Sequence, residues 1–222
     1  MIVTLYGTDR DTKPDYFEQF FELRHQIFVA GRGWPLPSKN GRETDEYDVD
    51  AAVYFLDVSD DDKIEGGVRI TPTETCSLTA DYFPHLVENG EVLRSPEVYE
   101  ATRYFILPTQ KSAARNRTVR ARILRSLTEW CLDNRISFIQ AVIDTTSLPT
   151  FIQLNPQVRP MGLAHSYGGG RDAPGGGDCL AIRWPCTQHV IEAISRYGGL
   201  GAYGHHSMQA NARHADPPAT TH

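Results

Sequence analysis

The sequence predicts an α/β protein of one domain, a mixed sheet with helices on both faces. Three observations predict it. Short runs rich in β-branched and aromatic residues are separated by stretches of helical period. Two of those runs flank a tight polar turn, which makes an antiparallel hairpin, and the later runs alternate with helices. The chain has 222 residues, 40% of them hydrophobic, enough for one sizeable core.

In chain order, residues 2–5 read as a first strand and 14–29 as a first helix, with Pro14 suited to its first turn. Residues 31–50 are polar, rich in Gly and Pro, and long for a loop inside a compact domain. Such length marks function or disorder, and Trp34 with the acids around it points to function. Strand 51–58 (AAVYFLDV) turns through SDDD into strand 64–71 (IEGGVRIT), where Gly66 and Gly67 predict a bulge or a close backbone approach. A short aromatic helical turn is expected at 82–87. Residues 98–107 (VYEATRYFIL) make the strongest strand. Alternation puts Glu100 and Arg103 on opposite faces, so they share a pocket only if the strand is bulged or twisted between them. The longest helix spans 112–134, with Val119, Ile123, Leu127 and Trp130 as its apolar stripe. A strand at 136–143, a short helix at 147–154, a glycine-rich hairpin connection at 167–177, a last strand at 178–184 and a last helix at 185–197 complete the domain, 1–197. The remainder, 198–222, has few large apolar residues and reads as a disordered tail.

The net charge of -6 argues against nucleic acid as a partner. No basic region precedes an apolar run at the N-terminus and no apolar stretch has membrane-spanning length, so neither a signal peptide nor a membrane anchor is expected. Cys76, Cys131, Cys179 and Cys186 lie far apart without a CxxC and read as reduced packing residues of a cytoplasmic protein. The histidines show no ligand spacing, and no metal is expected.

One stretch concentrates chemistry. Phe20, Arg24 and Phe28 share a helix face at i, i+4, i+8, which puts a guanidinium in an apolar stripe. A buried Arg needs carboxylates or a charged ligand, and Glu43, Asp45, Glu46 and Asp48 follow in the chain. An ion-paired structural core and a ligand site both fit this pattern. Arg69 is a second Arg within a core strand. Between Glu100 and Glu129 there is no acid, while Arg103, Lys111, Arg115, Arg117, Arg120, Arg122 and Arg125 fall there. That run is either a solvated face or a surface for an anionic partner.

The element order is compatible with the acyltransferase fold of the GNAT type. LRHQIFV, Trp34, GRETDEYD, VRITPT and YEATRYFI resemble the LuxI-type acyl-homoserine-lactone synthases, the autoinducer synthases. Residue by residue the resemblance covers Arg24, Phe28, Trp34, Glu43, Asp45, Asp48, Arg69, Phe83, Glu100 and Arg103, with Thr102 where the family often has Ser. It implies a GNAT-like fold and acyl transfer to the amine of S-adenosylmethionine, followed by lactone closure that expels 5'-methylthioadenosine. S-adenosylmethionine is then a substrate, and no cofactor is implied. The acyl donor is an acyl carrier protein or acyl-coenzyme A; GRETDEYD and YFPHL are most similar to the subgroup that uses coenzyme A thioesters of short branched or aromatic acids.

Within this resemblance Glu100 is the first candidate base and Glu43 the second, and Arg103 or Arg24 would hold the methionine carboxylate. Asp45 and Asp48 would balance the sulfonium or the arginines, Phe28 and Trp34 would cover the adenosyl group, and Arg69 would tie the ion network. Lys111, Arg115, Arg117 and Arg120 would face the anionic donor. The oxyanion would need backbone N–H groups from a splayed or bulged strand. Two alternatives remain: an ordinary GNAT acetyltransferase acting on an amine, which the glycine-free PTQKSAARNRT segment disfavours, and a non-catalytic binding protein of the same fold.

Overall fold

A computed structural model of the chain describes residues 1–88, 94–107, 112–170 and 172–201. The expected sheet forms. Strand β1 (Ile2–Tyr6) leads into helix α1 (Pro14–Arg24), which continues as a π-helical turn, His25–Gly31. The predicted loop 31–50 contains a small hairpin, β2 (Ser38–Lys39) with β3 (Arg42–Glu43). Asn40 and Gly41 turn it at positive φ, and an Asn-Gly pair between two extended residues is the signal for such a turn.

Strands β4 (Val53–Val58) and β5 (Ile64–Pro72) form the predicted hairpin. Gly66 and Gly67 mark a close approach: a Cβ at the first would meet Ile123, and at the second Phe20, so helices press on the sheet from both sides here. Helix α2 (Leu78–Tyr82), capped by the Ser77 hydroxyl, begins earlier than the expected turn at 82–87, which holds a 3-10 turn at Pro84–Leu86. Strand β6 (Val98–Ile106), helix α3 (Ala113–Asp133), strand β7 (Phe138–Asp144) and helix α4 (Leu148–Leu154) follow as expected. Two short strands, β8 (Arg159–Pro160) and β9 (His165–Tyr167), were not foreseen; β9 and β10 (Gly177–Pro185) are the arms of the glycine-rich hairpin. Helix α5 (Gln188–Gly198) starts later than expected, because Pro185 ends β10 and the Thr187 hydroxyl caps the helix. Leu200 packs on the core beyond it. The expected tail lies outside the described residues from 202 onward.

The strand order is β1-β4-β5-β6-β7-β10-β8, with β9 on the edge of β10. Only β6 and β7 run parallel among these pairs. The main core lies between the sheet and α3, α4 and α5; a second lies under α1, where Phe17, Phe20, Phe21 and Phe28 pack on Tyr54, Leu56 and Phe105. Each such buried aromatic is worth about 1.5–3 kcal/mol of apolar transfer. No helix among the described residues is long and apolar enough to cross a membrane.

Two irregularities shape the face under α1. Arg69 pairs with Thr102 and Gly67 with Phe105, so Val68 alone opposes Arg103 and Tyr104: β6 carries a bulge. Arg103 occupies the left-handed region, φ 53°, which side chains other than Gly enter at a cost. The bulge turns Arg103 to the same face as Glu100, Thr102 and Phe105, whereas strict alternation would send it toward α3. The second irregularity is a fork. Pairing of β6 with β7 stops at Glu100 and Gln140, although β6 runs on to Ile106 and β7 to Asp144.

Candidate active site

The arginine that the helix pattern placed on an apolar face is fully buried and fully paired. Arg24 donates Nε to Glu43 Oε2 at 2.6 Å, Nη2 to Glu43 Oε1 at 2.9 Å and Nη1 to Asp48 Oδ1 at 2.7 Å. Arg69, also 0% exposed, donates Nε to Thr102 Oγ1 at 3.0 Å and its Nη atoms to Asp45 and Asp48. Arg103 donates Nε and Nη2 to Glu43 at 2.9 and 3.0 Å, and Nη2 also lies 2.9 Å from Asp45 Oδ2. Tyr54 adds a hydrogen bond to Asp48 Oδ1 at 3.0 Å. Three guanidinium groups thus meet three carboxylates, and the charges balance within one buried unit. Its edge toward solvent is Arg103, 8% exposed, with Asp45 and Asp48 at 5%.

The cluster sets the protonation of its members. Burial alone would raise the Glu43 carboxyl; hydrogen bonds from Arg24 and Arg103 outweigh that and hold it below the usual range. Burial likewise acts upward on Asp48, and the charges of Arg69 and Arg24 reverse it. Glu43, the second candidate base of the sequence, is therefore committed to two arginines and held as an anion. That geometry makes it the pivot of the network and a poor proton acceptor.

Glu100 has a different setting. It is as buried as Glu43, but its donors are neutral: Thr79 N and Oγ1 at 2.8 and 2.7 Å, Ser77 Oγ at 2.7 Å and Gln140 Nε2 at 3.1 Å. Burial raises its pKa, and the hydrogen bonds only moderate this. Glu100 and Gln140 form the last pair before the fork, and Gln140 Oε1 there is buried with no hydrogen-bond partner among the described residues. Glu100 and Arg103 share a face, as a bulge requires, but Glu100 and Arg103 bond to different partners.

An aromatic wall stands beside Arg103. The π turn widens the end of α1: Arg32 N reaches back to Ile27 O at 3.0 Å, and Trp34 N to Phe28 O at 3.0 Å. This folds Trp34 onto Phe28, with ring centroids 5.4 Å apart and planes 14° apart. The Arg103 guanidinium lies 5.8 Å from the Phe28 centroid.

The basic run is brought together only in part. Arg115 is bonded to Glu65, Arg120 lies against Tyr197, Arg122 is paired with Asp57 and Arg125 with Glu129. Arg117 is exposed, and Lys111 lies outside the described residues. The residues that sequence reasoning missed are partners: Tyr47, whose ring centroid lies 5.9 Å from the Arg69 guanidinium, Tyr54 on Asp48, and Ser77, Thr79 and Gln140 around Glu100. A polar residue inside an apolar strand, as in VYFLDV and FIQAVID, is the signal that points to Tyr54 and Gln140.

Comparison with known proteins bears on all of this. The family model described as "Autoinducer synthase" matches residues 10–152. The chain is 34% identical over 164 residues to the isovaleryl-homoserine lactone synthase of Bradyrhizobium diazoefficiens, covering 73% of each chain. Its fold superimposes with a TM-score of 0.78 and 29% identity on a structure of a CoA-dependent acyl-homoserine lactone synthase, BjaI, with SAM and isopentyl-CoA, covering 91% of this chain and 90% of that one. A Lactobacillus plantarum protein assigned as an N-acetyltransferase shares the fold at a TM-score of 0.55 and 13% identity, over 84% of this chain and 98% of that one. The chain is an enzyme of the autoinducer synthase family, the acyl-homoserine-lactone synthases, built on the GNAT-like acyltransferase fold.

Proposed function

We propose that this enzyme joins an acyl group from a short branched acyl-coenzyme A to S-adenosylmethionine and releases an N-acyl-L-homoserine lactone. The observation that carries the reading is the edge of the ion cluster: Arg103 and Asp45 reach solvent on the face where β6 and β7 separate. S-adenosylmethionine brings a carboxylate, an amine and a sulfonium to one small volume. Arg103 suits the carboxylate and Asp45 the cationic groups, while Arg24, Arg69, Glu43 and Asp48 hold those two in place behind them. Phe28 and Trp34 offer the adenosyl group an apolar wall. Glu100, at the apex of the fork with a raised pKa, is suited to take the proton, directly or through a water, as the amine attacks.

In that first step the amine nitrogen forms a bond to the thioester carbonyl, the C–S bond breaks and the thiol leaves. The oxyanion is served by backbone N–H groups of the bulged strand, which has no β7 partner beyond the fork. In the second step a carboxylate oxygen attacks the methionine γ-carbon, the sulfonium C–S bond breaks and 5'-methylthioadenosine departs. The choice of donor is supported by the relative named for isovaleryl-homoserine lactone and by the neighbour with isopentyl-CoA.

The test supplies the purified chain with S-adenosylmethionine and a panel of acyl-coenzyme A and acyl-carrier-protein thioesters. Lactone and methylthioadenosine should appear in equal amounts, fastest with isovaleryl-type coenzyme A donors. Thiol release without methylthioadenosine would overturn the reaction, and preference for a carrier-protein donor would overturn the donor.

A further inference from the structure

The aromatic wall is held from the C-terminal half of the chain, by Asp144 and by Tyr167, the latter beyond the last residue of the family match. Where the π turn ends, Arg32 sends its guanidinium across to β7 and bonds Asp144 Oδ2 at 2.6 Å. The other oxygen of that carboxylate accepts the Tyr167 hydroxyl at 2.6 Å. Arg32 and Tyr167 both touch Trp34: the guanidinium lies 4.9 Å from its centroid, and the tyrosine ring presents an edge at 6.1 Å and 80°. Trp34 is thus fixed by Phe28 on one face, by a cation and by an aromatic edge. The backbone allows this closeness because of glycine: a Cβ at Gly175 would stand 2.6 Å from Arg32 O. Burial and then the bond to Asp144 push the Tyr167 phenol up to about 12, so it remains a donor at any physiological pH.

We propose that Arg32, Asp144 and Tyr167 form a latch that positions Trp34 over Phe28, so that the β9–β10 hairpin completes a substrate wall begun by α1. These are positioning residues, because they act through Trp34. The inference rests on the reading of that wall as part of the S-adenosylmethionine site. It assigns to the latch the binding of that substrate, and to none of its members a part in proton transfer.

Two readouts on the full chain test it. Acrylamide quenching of fluorescence, taken as the difference between each protein and its Trp34→Phe counterpart, reports the exposure of Trp34 with no substrate present. Steady-state kinetics then separate KM from kcat. Tyr167→Phe keeps the ring and removes only the hydroxyl, so the fold is not at stake; Asp144→Ala removes both bonds. The pair is part exposed, so the expected rise in KM for S-adenosylmethionine is about five-fold, with Trp34 about twice as quenchable and kcat and the donor KM little changed. Arg32→Ala should behave as Asp144→Ala, and Arg32→Lys should recover part of the loss. Unchanged quenching and KM in Tyr167→Phe and Asp144→Ala would overturn the latch. So would a raised KM with unchanged quenching, because the effect would then travel by another route. A wild-type chain that makes no lactone would instead defeat the functional reading, while the quenching comparison would still decide the latch.

Discussion

Glu43, on the small β2–β3 hairpin, and Glu100, on β6, are both shut off from solvent, and their acidities move in opposite directions. Burial acts upward on each. At Glu43 two guanidinium groups overcome it; at Glu100 the donors are hydroxyls, an amide and a backbone N–H, and they do not. Counting hydrogen bonds would rank the two alike, since each carboxylate accepts four. What separates them is the charge on the donors. The protein keeps one carboxylate as a fixed anion that organises arginines and raises the pKa of the other.

The largest effect should come from breaking the charged member. Arg24→Met leaves Glu43 and Asp48 short of a counter-charge in a buried site, at a cost of about 3–5 kcal/mol. Glu43→Gln should be comparably damaging, because it strands Arg24 and Arg103. The double variant should lose much less than the sum of the two, as residues of one network do. Urea midpoints measure this, and additive losses would show that the six groups do not act as one unit.

Glu100→Gln sharpens the comparison, because it should spare stability and remove turnover. A glutamine can keep the contacts to Thr79 and Ser77, so the stability change at neutral pH should be within about 1 kcal/mol, while kcat falls by about 10²–10⁴-fold if Glu100 is the base. The pH dependence gives an independent sign. Glu43 and Asp48 have depressed folded pKa values, so their contribution is present above the ordinary carboxylate range and is lost as pH falls from there through the lower folded values. Glu100 has a raised one, so its charge weakens the fold as pH rises from its unfolded value through the folded one, and acidification relieves this. Removing Glu100 should make the acid loss of stability steeper than in the wild type. Urea midpoints between neutrality and the carboxylate range that fall in parallel would refute the assigned shift.

Much of this was legible beforehand, for identifiable reasons. An arginine at i+4 between two phenylalanines is expected to be buried, so Arg24 called for charged partners, and the carboxylates of GRETDEYD were near enough in the chain to meet it. The order of the long elements along the chain followed from their periodicity. Which carboxylate meets which arginine was not readable, because Glu43 reaches Arg103 over 60 residues and only through the β6 bulge. A bulge leaves no mark on a strand already rich in aromatics. The neutral donors of Glu100 come from α2 and β7, brought together by tertiary packing. Strands β8 and β9 are too short to show a period. The β2–β3 hairpin did carry its Asn-Gly signal, and the long polar loop around it obscured that signal.

The smallest expected effect concerns the basic helix. Read as sequence, Arg115, Arg117 and Arg120 formed one cationic surface, but in the fold two of them are engaged. Arg115 is bonded to Glu65, and Arg120 lies against Tyr104 and Tyr197, which raise its pKa against the pull of burial. Reversing those two would break internal contacts and confuse docking with folding. Arg117 is exposed on α3 and, among the described residues, without a charged partner, so it is the clean probe. An exposed charge at the rim of a binding surface acts through attraction at a distance, which salt screens. Arg117→Glu should therefore raise the KM for the acyl donor by about two-fold at low ionic strength, leave the KM for S-adenosylmethionine unchanged, and lose its effect as salt is added. An equal effect on both substrates would place Arg117 in a general field, and no effect at low salt would reduce the arginine-rich helix to a solvated face.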